Sequence, residues 1–159
     1  MNALVMELLP YVRQGMCCSQ LLMLLATQAR GEENPGLVRS MGGLCHGIGQ
    51  SGGPCGLLSG GAAALAWLSG TDGGEAHPML EPMVNEYATW FYERCQSYGG
   101  YGCEQVVNGL ASATGAMGGA GTNAADGKPD MSLCADLLAE CWEKILELYD
   151  SYDLGSVGA

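Results

Sequence analysis

The chain has 159 residues, 48% hydrophobic and 14% charged, with a net charge of −11. That supplies enough apolar side chain for one self-sufficient core and too much for global disorder. The six Lys and Arg residues stand singly, so no basic stripe is available for nucleic acid or for an anionic membrane surface, and no apolar run nears the length of a membrane span.

Leucine (21) and alanine (18) far outnumber valine (7) and isoleucine (2), and nothing alternates with period two. Helix is favoured throughout. The expected fold is all-α: a single-domain bundle of about five to seven helices, with a Gly-rich loop before the central helix. Residues 1–150 form the domain and 151–159 a flexible tail.

The first helix is expected over Ala3–Arg13, with Leu4, Leu8 and Val12 on one face and Pro10 bending or shortening it. With Glu7 among its apolar residues and no basic leader, it reads as amphipathic and not as a secretory signal, which gives a cytoplasmic address. A second helix is expected from about Met16 to Ala29 and a short one over Pro35–Met41. The next runs from Pro54 to about Leu68, then one from Pro78 to about Gln96, then a short one over Cys103–Leu110. Ser112–Asp130 collapses to Gly, Ala, Thr, Asn and Asp and reads as a loop. A last helix, Met131–Tyr149, carries Leu133, Leu137, Cys141, Ile145 and Leu148 as a stripe, with Asp130 as its N-cap.

The stretch GLCHGIGQSGGPCGLLSGG, from Gly43 to Gly61, holds eight glycines and two cysteines. Its GIGQSG segment spells a dinucleotide fingerprint, but that fingerprint works only between a strand and a helix, and no strand precedes it here. Gly56, Gly60 and Gly61 with Ala62–Ala64 instead offer a smooth face for close helix packing. Cys55 falls at a helix start, where free amide groups favour a thiolate.

Eight cysteines without a secretory leader point to metal binding or thiol chemistry rather than a disulfide framework. None forms a C-x-x-C pair, which leaves zinc ribbons and covalent haem unsupported. Cys18, Cys55, Cys103 and Cys134 each lie near an expected helix N-terminus. In a bundle these starts can converge and bring four thiols together with raised acidity.

The residues GMCCSQLL around Cys18, GIGQSGGPCGLLSG through Cys55, YGGYGCEQVVNG around Cys103 and LCADLL around Cys134 resemble the redox-active proteins named for their C_GCAxxG_C_C pattern. The similarity runs from about Val12 to Leu148. It implies a small helical protein whose four cysteines serve a redox role, in members encoded near oxidoreductases or transporters. A similar domain occurs in split-Soret cytochromes c, where an iron–sulfur centre accompanies the haems. Leu57 replaces the family's alanine, and Cys17, Cys45, Cys95 and Cys141 are additional. Cys45 and His46 adjoin the core motif as further candidate ligands.

Three functions follow as expectations. In the first, Cys18, Cys55, Cys103 and Cys134, with Cys45 and His46 as possible additions, hold an iron–sulfur cluster of the two-iron, two-sulfide or another type and pass electrons to a partner oxidoreductase. In the second, the thiols carry out metal-free thiol–disulfide exchange. In the third, zinc or buried cysteines serve a structural or adaptor role. The expected partner is a redox protein, with a homodimer an open option.

Overall fold

The structure, a computed structural model, describes residues 2–115 and 130–154. Among these residues there are seven right-handed α-helices and no strand. They are α1 (Ala3–Arg13), α2 (Cys18–Ala29), α3 (Pro35–Ser40), α5 (Gly56–Ser69), α6 (Leu80–Arg94), α7 (Cys103–Ala113) and α8 (Ala135–Ser151). Between α3 and α5 lies α4 (Cys45–Gln50), a short left-handed run: His46, Gly47, Ile48 and Gly49 all have φ between 56° and 67°. Tight 3-10 turns cover Met41–Leu44, Gln96–Tyr98 and Met131–Cys134. The all-α expectation holds.

Local chemistry explains several of these starts. The Asn2 side chain accepts from the Leu4 amide at 3.0 Å, the Asn34 side chain from Leu37 at 3.0 Å and Asp130 from Ser132 at 3.0 Å, each answering an amide the helix leaves unpaired. Asp130 therefore caps the Met131–Cys134 turn, and α8 proper begins only at Ala135. Pro10 does not end α1, which continues to Arg13. The proline is exposed, so water can serve the carbonyl its missing N–H leaves behind. Pro54 is not in the first turn of α5: it pairs with Gly102 in an isolated antiparallel bridge, and Cys55 is the N-cap.

The centre of the bundle is the α2–α5 pair. A Cβ on Gly60 would lie 2.7 Å from the Ser19 Cα, so the two backbones touch there. On the next position a Cβ at Gly61 would fall onto the Tyr87 hydroxyl and ring, so glycine is what lets α6 lay Tyr87 across α5. Around this pair, Leu21, Leu22, Leu57, Leu65, Tyr87, Phe91, Leu137 and Ile145 are buried in one contiguous core. The far ends of α2 and α5 are joined by Arg30, which donates to the Trp67 carbonyl (3.1 Å), the Gly70 carbonyl (3.2 Å) and Asp72 (2.7 Å).

Most of the Ser112–Asp130 loop and the last five residues of the expected tail lie outside the described residues. The four tail residues within them, 151–154, are tied down: Ser151 ends α8, and the Tyr149 hydroxyl donates to the Leu154 carbonyl at 2.9 Å. No described helix is long and apolar enough to cross a membrane.

Candidate functional site

Cys17 is the N-cap of α2, and Cys45 is the first residue of α4. Their sulfurs are joined in a disulfide that spans 5.8 Å between Cα atoms. Gln20 and Ser19 cup this bond. The Cys17 amide donates to Gln20 Oε1 at 3.2 Å, while Ser19 Oγ lies 3.1 Å from Cys17 Sγ and 3.8 Å from Cys45 Sγ. The Ser19 hydroxyl spends its proton on the Met41 carbonyl at 2.9 Å, so its lone pairs face the sulfurs. Cys17 is buried and Cys45 half-buried.

The left-handed run after Cys45 packs against another cysteine. A Cβ on Gly47 would sit 2.7 Å from the Gly53 carbonyl oxygen and 3.0 Å from the Cys103 Cβ. Only glycine fits at that position, on grounds of space as well as of its φ of 67°. The Gly53 amide donates to the Gly47 carbonyl at 3.0 Å and the Cys103 amide to the Gly53 carbonyl at 3.3 Å, while Cys55 N–H donates to the Tyr101 carbonyl at 2.8 Å. The glycines between Gly43 and Gly61 thus serve a left-handed turn and a close helix crossing, not a phosphate.

Cys18, Cys55, Cys103 and Cys134 all sit at helix starts: Cys18 and Cys103 open α2 and α7, and Cys55 and Cys134 are the N-caps of α5 and α8. They come within electrostatic reach of one another, and Cys18 and Cys134 are hydrogen-bonded. Their acidities depart from the expectation. Cys18 is pushed well up, first because its proton is held by Cys134 and then by burial. Burial pushes Cys55 well up, with the Leu57 amide pulling part of the way back, and burial pushes Cys103 up to about 11. Only Cys134 is lowered, by the hydrogen bond from Cys18, against the effect of its burial. At Cys55 and Cys103 desolvation outweighs the helix N-terminus.

The expected iron–sulfur centre, and the zinc alternative, are corrected by this arrangement. Among the described residues no group of three or more His, Cys, Asp or Glu side chains is placed to hold a metal ion. Cys45, a candidate ligand, is covalently committed to Cys17, and the neighbouring His46 belongs to the left-handed turn. Cys18 and Cys134 hydrogen-bond to each other.

The remaining thiols, Cys95 and Cys141, are buried, and desolvation raises them to about 11 and about 12. The Tyr87 hydroxyl donates to the Leu57 carbonyl at 2.8 Å and lies beside Cys141, whose rise it partly offsets. Sequence reasoning missed the partnership of Cys17 with Cys45. One signal was available: Cys17 stands three residues before Gln20, the spacing of a capping box, which marks Cys17 as the residue just outside α2.

Fold and site together define an all-helical, cysteine-rich protein in which one disulfide adjoins a largely buried group of thiols. Residues 16–148 match the family described as "Putative redox-active protein (C_GCAxxG_C_C)", and the chain belongs to that family. No curated protein and no solved structure matches the chain.

Proposed function

We propose that the protein is a metal-free thiol–disulfide redox protein whose exchanging pair is Cys17–Cys45. The observation that carries this reading is the disulfide itself, which joins the buried N-cap residue of α2 to the half-buried Cys45.

The asymmetry sets the direction of attack. A thiolate of a reduced partner approaches Cys45 Sγ, the sulfur of the less buried residue, forms a mixed disulfide there and expels Cys17 as a thiolate. Cys17 departs at the N-terminus of α2, where the helix dipole offsets part of the cost of charging a buried thiol. The partner's second thiol then attacks its own sulfur in the mixed disulfide and expels Cys45. Two electrons have moved: the partner ends as a disulfide, and Cys17 and Cys45 end as thiols after taking up two protons. Acceptors stand ready for those thiols, Ser19 Oγ beside Cys17 at 3.1 Å and Gln20 Oε1 beside Cys45 at 3.9 Å.

The net charge of −11 suits a partner with a basic docking face. A cytoplasmic setting accords with a disulfide that is transient rather than structural. Cys18, Cys55, Cys103 and Cys134 form a reserve of thiols next to the exchanging pair.

The test is trapping. In a graded thiol–disulfide buffer, the wild-type protein is expected to form and lose one Cys17–Cys45 link reversibly, read by peptide mass mapping. Cys17→Ser should accumulate a mixed disulfide at Cys45, and Cys45→Ser should leave Cys17 largely unmodified. A link that never forms, or equal trapping at the two positions, refutes the reading.

A further inference from the structure

A cavity of about 80 Å³ lies between α1, the start of α2 and the start of α8. Val5, Leu8, Val12 and Leu138 line it, and so do Cys18 and Cys134. Its polar edge is Ser132, whose hydroxyl already donates to Asp130 at 2.7 Å. Water needs two or more polar partners to occupy such a space, and they are missing, so the cavity suits an apolar group. Its volume is about half of the ~150 Å³ apolar cavity that accommodates benzene, which is room for a branched group of about four carbons.

We propose that this cavity is a substrate site for a small alkyl hydroperoxide, reduced by the Cys18–Cys134 pair. An apolar electrophile explains the lining, and a two-electron oxidant explains two facing thiols where an alkylating agent would use one. The alkyl group occupies the cavity with its hydroperoxide towards the sulfurs.

The roles follow from the hydrogen bond. Cys18 donates to Cys134, so Cys134 is the nucleophile and Cys18 the proton source. The Cys134 thiolate attacks the terminal peroxide oxygen, the O–O bond breaks, and the Cys18 proton goes to the leaving alkoxide. The products are the alcohol, a sulfenic acid on Cys134 and a thiolate on Cys18. That thiolate attacks the Cys134 sulfur and expels hydroxide, which leaves a Cys18–Cys134 disulfide. One hydroperoxide has become one alcohol and one hydroxide, and two sulfurs have lost two electrons. A thiol reductant restores the pair by exchange. The step uses neither Cys17 nor Cys45, so it stands or falls separately from the exchange reading.

The test is a single turnover of the fully reduced, desalted whole protein with tert-butyl hydroperoxide or hydrogen peroxide, quenched with a maleimide and mapped for disulfides. The expected result is a Cys18–Cys134 link and a tert-butyl hydroperoxide rate at least tenfold above that of free cysteine at the same pH. Cys18→Ser should instead leave a dimedone-reactive sulfenic acid on Cys134, and Cys134→Ser should lose the reaction. Val5→Phe, which puts a ring into the cavity, provides a second line should the cysteine variants fold poorly: it should cut the ratio of alkyl hydroperoxide to hydrogen peroxide rates at least tenfold. A rate no faster than free cysteine, a link formed elsewhere, or a ratio unmoved by Val5→Phe overturns the proposal.

Discussion

Gly43 and Gly49 belong to the same glycine-rich stretch, and a Cβ added to either meets no atom within 4 Å. They differ only in backbone. Gly43 lies in the Met41–Leu44 turn without a positive φ, whereas Gly49 has φ 64° and ψ 35° inside α4. Replacing glycine by alanine at an unstrained site stabilises a protein by about 0.4–1 kcal/mol, because the unfolded chain loses freedom. Gly43→Ala should gain that amount. Gly49→Ala gains the same entropic term but meets the left-handed penalty of about 1–2 kcal/mol for a residue with a Cβ. The entropic terms cancel in the comparison, so the gap between the two variants should be about 1–2 kcal/mol, with Gly49→Ala the less stable. In a domain of this size that separates the melting temperatures by roughly 2–8 °C. Urea denaturation at matched slope, under non-reducing conditions, reads the gap directly. Equal stabilisation by both substitutions would refute a left-handed α4. Repeating the pair with Cys17–Cys45 reduced extends the test: if the disulfide holds α4 in place, the gap shrinks once the tether is cut.

Three other expectations follow from the structure. Because burial holds the Cys103 thiol at about 11, its alkylation by a small maleimide should climb about tenfold per pH unit from 7 to 10; a plateau by pH 9 would contradict that. Cys95 and Cys103 at about 11 and Cys141 at about 12 also retain protons that the unfolded chain gives up above about pH 8.5. Their contribution to stability is therefore complete below that pH and is lost as the pH rises towards 11–12, a decline that denaturation midpoints should follow. Gly60→Ala drives a Cβ to 2.7 Å from the Ser19 Cα, a backbone contact that cannot turn aside. Overpacking of this kind should cost about 1–3 kcal/mol and displace Ser19 from the disulfide; a variant as stable as the parent would show that α2 and α5 do not touch there.

The helices were legible because their signals are local. Asp130 announces a start through one side-chain oxygen, and Leu137, Cys141, Ile145 and Leu148 announce a buried face through spacing alone. The four cysteines at helix starts were legible for the same reason. Their acidity was not, because a helix N-terminus is a property of neighbouring residues while burial is a property of the whole bundle. Cys55, at 1% exposure, is governed by the bundle. The disulfide was hidden for a related reason. Cys17 and Cys45 are 28 residues apart, and the chain entering and leaving Cys45 takes its path from a left-handed turn. GIGQSG permits that turn without requiring it, since glycine is nearly indifferent to the sign of φ. Three of the five residues that follow Cys45, namely His46, Ile48 and Gln50, carry a Cβ and have positive φ nonetheless. Local preference opposes the turn at each of them, so contacts from outside must hold it: the bond to Cys17, the seat of Gly47 on Gly53 and Cys103, and the amide of Gly53. Of these only the bond to Cys17 can be made and broken by redox chemistry, so the oxidation state of Cys17–Cys45 is coupled directly to the backbone of α4.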